Sequence, residues 1–109
     1  REFIYVEDCA DAIVLAAEVY GDAARPLNIG TGVGTTIREL AEAVCAASRY
    51  AGKLVWNSDK PDGAMMKVLD VARMNEALDG WRPPTDLRTG LEKTITWYRA
   101  NKAQADAKW

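Results

Sequence analysis

Three places along this chain hold residue types that can grip a phosphate. Gly30-Thr31-Gly32-Val33-Gly34 follows a run that reads as a strand and opens a run that reads as a helix. Free backbone amides and the helix dipole hold an anion at such a junction. The loop matches no phosphate fingerprint fully, because Thr35 stands where a dinucleotide loop needs its third glycine. It also lacks the Lys-Ser/Thr pair of a phosphate-loop NTPase, and Ala51 to Val55 offers no acid for a ribose hydroxyl. It therefore reads as a tight turn that needs glycine dihedrals. Lys60-Pro61-Asp62-Gly63 reads as a surface turn carrying a solvated lysine, and Arg1 as a charge at a strand end.

Composition narrows the chemistry further. The 109 residues suffice for one domain, with 49% hydrophobic and 28% charged residues, the balance of a soluble globular chain. There is no histidine, which removes Ser-His and Cys-His nucleophile pairs and nearly every zinc site. Two cysteines, Cys9 and Cys45, fall on apolar helix faces and read as small buried hydrophobes in a reducing compartment. The net charge of −2 comes without a basic run of the kind that binds nucleic acid. Residues 1–50 carry four Lys/Arg against eight Asp/Glu, and residues 51–109 carry ten against eight. No apolar stretch approaches the ~20 residues of a membrane span. The four tryptophans share no spacing that would make a base-stacking platform. No pair of carboxylates and no Ser/Tyr/Lys cluster forms a catalytic set.

The elements that must position these residues alternate. Phe3–Val6, Pro26–Ile29, Lys53–Trp56 and Lys67–Leu69 read as short strands. Asp8 reads as the N-cap of a first helix running to Tyr20, with Cys9, Ala12, Ile13, Ala16 and Tyr20 on its inner stripe and Gly21 as its stop. Thr36 and Glu39 form a capping box ahead of Ile37, Leu40, Ala41, Val44 and Cys45 at helical spacing. Asp70 caps a short helix ending at Gly80, and Thr85 or Asp86 starts the last one after Pro83-Pro84. The expected class is α/β, a small α+β lobe of short strands alternating with about four helices. The opening Arg1-Glu2-Phe3-Ile4-Tyr5-Val6, a strand already under way, suggests a piece of a longer protein.

Several stretches, in order, resemble the C-terminal part of the extended short-chain dehydrogenase/reductases, the NAD(P)-dependent nucleotide-sugar epimerases and dehydratases. They are Arg1-Glu2-Phe3-Ile4-Tyr5-Val6-Glu7-Asp8, Leu27-Asn28-Ile29-Gly30-Thr31-Gly32, Thr36 to Ala41, Lys60-Pro61-Asp62-Gly63 with Lys67 to Val71, and Gly80-Trp81-Arg82-Pro83 with Leu87, Gly90-Leu91 and Thr94-Ile95. The Lys-Pro-Asp-Gly segment is most like that of GDP-L-fucose synthases, which typically continue Thr-Pro-Arg where this chain has Ala64-Met65-Met66. That departure leaves a nucleoside-diphosphate-sugar 4-epimerase or 4,6-dehydratase as the close rival, and a non-catalytic binding module as the rival of another class.

The resemblance implies the C-terminal lobe of a Rossmann-type enzyme over residues 1–100, followed by a frayed tail at 101–109. It implies a nucleotide-diphosphate sugar as partner, bound by Arg1 and Lys60 at the diphosphate and Asp62 at the ribose or the turn. NADP or NAD, with the catalytic Ser/Tyr/Lys set, belongs to the part not present, so this lobe holds no catalytic residue and binds no cofactor of its own. Gly30 to Gly34 is not the cofactor loop in this reading. The resemblance further implies a cytoplasmic homodimer that binds neither nucleic acid nor membrane.

Overall fold

The computed structural model describes residues 1–21, 25–59, 61 and 63–107. Five helices follow one another: α1 (Val6–Val19), α2 (Ile37–Ser48), α3 (Ala72–Ala77), α4 (Leu87–Ala100) and α5 (Lys102–Asp106). No strand forms among the described residues, which corrects the expected α/β lobe. The reason lies in where the backbone amides go. Arg1 and Thr35 exchange both main-chain bonds, at 2.7 Å each, as the first rung of a ladder would. The neighbouring segments do not add further rungs. Thr31, Gly32 and Leu69 give their N–H groups to the side chain of Glu2 instead of to another main chain. Residues 51–59, which include the expected strand Lys53–Trp56, are exposed throughout.

Local chemistry sets the helix starts. In α2 the Thr36 hydroxyl accepts from the Glu39 amide at 3.1 Å, and the Glu39 carboxylate accepts from the Thr36 amide at 2.8 Å. Thr36 donors hold the Glu39 carboxyl below its ordinary value. Asp86 caps α4 by accepting from the Thr89 amide at 2.7 Å, and that bond lowers its pKa. Asp70 accepts from the Ala72 amide at 2.9 Å, and α3 stops at Ala77, ahead of Asp79 and Gly80 with φ of 51° and 77°. α5 is held by Tyr98, whose hydroxyl donates to Asp106 at 2.8 Å, and by Lys102 beside the same carboxylate.

α1 departs from expectation at both ends. Tyr5 is its N-cap residue, without a side-chain bond, and Tyr20 closes it before Gly21 by donating to the Ala16 carbonyl. Asp8 is not a cap. It is 4% exposed and accepts from Thr85, from the amide at 2.9 Å and from the hydroxyl at 2.8 Å. That pair ties the first turn of α1 to the segment entering α4. Gly90 of α4 sits against Tyr5, where an added Cβ would stand 3.4 Å from the Tyr5 Cβ.

The apolar core is small: Ala12, Met74 and Leu78 are buried. Ile13, expected on the inner stripe of α1, is 56% exposed. It belongs instead to an outward stripe with Val6, Ala10, Val14 and Ala17, bordered along one edge by Glu7, Asp11 and Glu18. α2 and α4 pack on each other. The radius of gyration is 16.7 Å, against about 13 Å for a compact domain of this length. Both cysteines are free and half-buried.

Candidate functional site

The site is built around the first two residues and the segments they reach. Arg1 is fixed through its main chain by the exchange with Thr35. Its guanidinium donates to the Ala64 carbonyl at 2.5 Å and lies against Gly63, where an added Cβ would stand 2.7 Å from Nη2. Gly63 thus permits the approach of a cation that any larger residue would push aside. The turn that the sequence marks as Lys-Pro-Asp-Gly does reach Arg1, through Gly63 and Ala64. Lys60 and Asp62 themselves lie outside the described residues.

Glu2 organises the other side. Its Oε1 accepts from the Thr31 amide at 2.5 Å, the Gly32 amide at 3.0 Å and the Thr31 hydroxyl at 3.3 Å. Oε2 accepts from the Leu69 amide at 2.6 Å. One carboxylate therefore joins three segments. Burial pushes the Glu2 carboxyl up, but the bonds from Leu69, Gly32 and Thr31 together outweigh it and hold the pKa below 4.5. Since the folded value is lowered, the clasp is fully present above the unfolded value and is lost as pH falls through the depressed folded one. Acidifying the chain from about pH 5 should therefore free Thr31, Gly32 and Leu69 together, seen as coincident movement of their three amide signals by NMR. Three unrelated transitions would show that no shared carboxylate joins them.

The same geometry decides what the glycine loop can hold. Gly32 has φ of 70°, a left-handed turn conformation suited to glycine. A Cβ at Gly30 would run into the Glu2 carboxylate. The amides of this loop that could have cradled a phosphate already hold an anion of the chain itself. The residues present therefore do not fit a dinucleotide cofactor at Gly30 to Gly34.

Arg1 and Lys67 line one hollow of about 230 Å³, with Glu2, Ile4, Ile29, Gly30 and Leu69 as the remaining wall. Neither cation pairs with a carboxylate among the described residues, and Glu2 spends its charge on backbone amides. Both residues thus line the hollow, while the Arg1 guanidinium itself turns to Ala64 and Gly63. Lys67 has no place among the sequence-based site residues, because its segment reads as an ordinary strand. Its one signal is its place three residues after Ala64, whose carbonyl accepts from Arg1. No group of three or more metal-ligating side chains occurs among the described residues, and none of their helices is long and apolar enough to cross a membrane.

No family model matches the chain, and no solved structure matches it. Curated relatives do. It is 41% identical to the probable GDP-L-fucose synthase 1 of Oryza sativa subsp. japonica over 105 residues, which cover 96% of this chain and 31% of that protein. Identity to GDP-L-fucose synthase 1 of Arabidopsis thaliana is 44% over 101 residues, covering 93% of this chain and 30% of the relative. To the GDP-L-fucose synthase of Escherichia coli it is 39% over 110 residues, covering 94% and 34%. The chain spans about a third of the length of these relatives. Over nearly its whole length, then, this chain is a homologue of a segment of GDP-L-fucose synthases.

Proposed function

We propose that this chain is the C-terminal nucleotide-sugar-binding lobe of an NAD(P)-dependent epimerase/reductase of the GDP-L-fucose synthase type. The observation that carries this reading is that Arg1 and Lys67, neither of which pairs with a carboxylate among the described residues, line one hollow of a chain homologous to those synthases. In this reading the hollow receives the diphosphate of a GDP-sugar. Two cations from segments far apart in sequence fix both the charge and the register of such a ligand. Lys60 adds a third positive group from the turn that touches Arg1, and Asp62 serves the ribose or the turn itself. The lobe binds and orients substrate only. Hydride and proton transfers, together with the NADP or NAD that supplies the hydride, belong to the remainder of the longer parent enzyme, a cytoplasmic homodimer.

The Ala64-Met65-Met66 run supports a second reading, a 4-epimerase or 4,6-dehydratase of another nucleotide-sugar. GDP and UDP titrations of the 109-residue chain, followed by NMR, separate the two. The first reading expects GDP to bind weakly, because half of the cleft walls are not there to pre-organise it. It expects the shifted signals to centre on Arg1, Ala64 and Lys67, and Lys60→Ala to weaken binding about tenfold, one charge-assisted contact's worth. A preference for UDP favours the second reading. No shift with either nucleotide defeats both and leaves an interaction module of another kind.

A further inference from the structure

We propose that Glu2 is a positioning residue for diphosphate binding, holding Lys67 in register with Arg1; this rests on the nucleotide-binding reading above. Glu2 precedes neither cation by accident of sequence alone: it is bonded directly to the chain next to Arg1 and, through its side chain, to the backbone two residues after Lys67. Its Oε2 takes the Leu69 amide at 2.6 Å while its Oε1 takes the Thr31 and Gly32 amides at 2.5 and 3.0 Å. Those three donors come from two segments that also meet through Asn28, whose side chain donates to the Asp70 carbonyl at 3.0 Å, through Arg73, which donates to the Pro26 carbonyl at 2.6 Å, and through Val68, Leu69 and Val71 against Gly34, Gly30 and Gly32. Among these links the Glu2 carboxylate is the one that takes a main-chain amide of segment 67–69 and ties it both to the glycine loop and to the residue beside Arg1.

The chemistry of the bridge requires a carboxylate. Four acceptor directions on two oxygens meet three N–H donors and one hydroxyl, which an anionic group satisfies fully. Glutamine keeps the length but replaces one oxygen by an NH2 group, which would point a donor at a donor. Aspartate keeps the charge but is one methylene too short to reach both segments. Because its oxygens face the amides of Thr31, Gly32 and Leu69, the carboxylate stands in the wall of the hollow without forming an ion pair with either cation. Glu2 touches no substrate in this scheme. It acts through the placement of Lys67.

A monophosphate needs one cation, whereas a diphosphate draws on two in register, and this difference supplies the test. The 109-residue chain is titrated with GDP and with GMP, as wild type, Glu2→Gln and Glu2→Asp, while far-UV circular dichroism monitors helix content. Glu2→Gln should weaken GDP binding about tenfold and change GMP binding by less than about twofold, with Glu2→Asp falling between for GDP. In the wild type, the Thr31 and Leu69 amide protons should resonate downfield, as carboxylate-bonded amides do, and exchange slowly with solvent. Equal losses for GDP and GMP, unchanged GDP affinity in Glu2→Gln, or rapidly exchanging Thr31 and Leu69 amides would each overturn the assignment. Should Glu2→Gln lose its helices, Glu2→Asp and the wild-type amide measurement still decide it. Failure of the wild type to bind GDP at all overturns the nucleotide-binding reading as well, whereas GDP binding that responds to Lys60→Ala but not to Glu2 overturns this inference alone.

Discussion

Asp8→Ala should destabilise the chain by about 3 kcal/mol, measured as a shift of the urea unfolding midpoint by far-UV circular dichroism. Asp8 is almost fully buried, and its two oxygens take the amide and hydroxyl of Thr85. Alanine would strand both of those donors beneath α1, and an unsatisfied buried donor loses about 1–3 kcal/mol. The bridge also spans 77 residues of sequence, so no local contact replaces it. Thr85→Val should recover part of the loss when combined with Asp8→Ala, because it removes the stranded hydroxyl along with its acceptor. A double-mutant cycle with coupling below about 0.5 kcal/mol would show that the pair does not hold the two segments together.

Arg1→Ala should reduce GDP affinity by at least tenfold, and by more than any other single substitution around the hollow. Arg1 lines both the hollow shared with Lys67 and the one at Gly63 and Ala64, where its guanidinium donates to the Ala64 carbonyl. Removing it takes away a cation and also the anchor of that turn. Arg1→Lys should recover only part of the affinity, since an ammonium cannot offer the planar fork that serves a phosphate and a carbonyl together. Calorimetric titration with GDP at low salt measures the effect, because screening shrinks the contribution of exposed charges. An Arg1→Ala chain that binds GDP as the wild type does would remove Arg1 from the site.

Which parts of this molecule could be read from its residues follows from the range of the forces involved. Thr36 with Glu39, and Asp86 ahead of Thr89, form caps within one turn, so their spacing announced them. The strands were misread because a strand exists only where a partner chain accepts its amides, and here Glu2 takes the amide of Leu69 while Lys53–Trp56 lies exposed. β-branched residues at 3–6 and 67–69 report a preference, not a partner. Asp8 was misread for a related reason: the local rule offers a helix start, while its true donor waits at Thr85. The inner stripe of α1 was legible apart from Ile13: Ala12 is buried, and Cys9, Ala16 and Tyr20 are half-buried, whereas Ile13 looks outward. In the candidate site, Arg1 was legible through the motif it opens. Lys67 was not, because a lysine in an extended run carries no mark until the fold returns it to Arg1.

The outward stripe of α1 bears on how this chain responds to heat. Val6, Ile13 and Val14 already meet water in the folded chain, and among the described residues the fully buried apolar side chains are Ala12, Met74 and Leu78. Ordinary domains gain about 12–15 cal/mol/K per residue in heat capacity on unfolding, because unfolding wets apolar surface that folding had dried. A chain that leaves this stripe wet when folded gains less. Its stability curve is correspondingly shallow, with little bend toward cold or heat, and its melting is spread over a wide span of temperature.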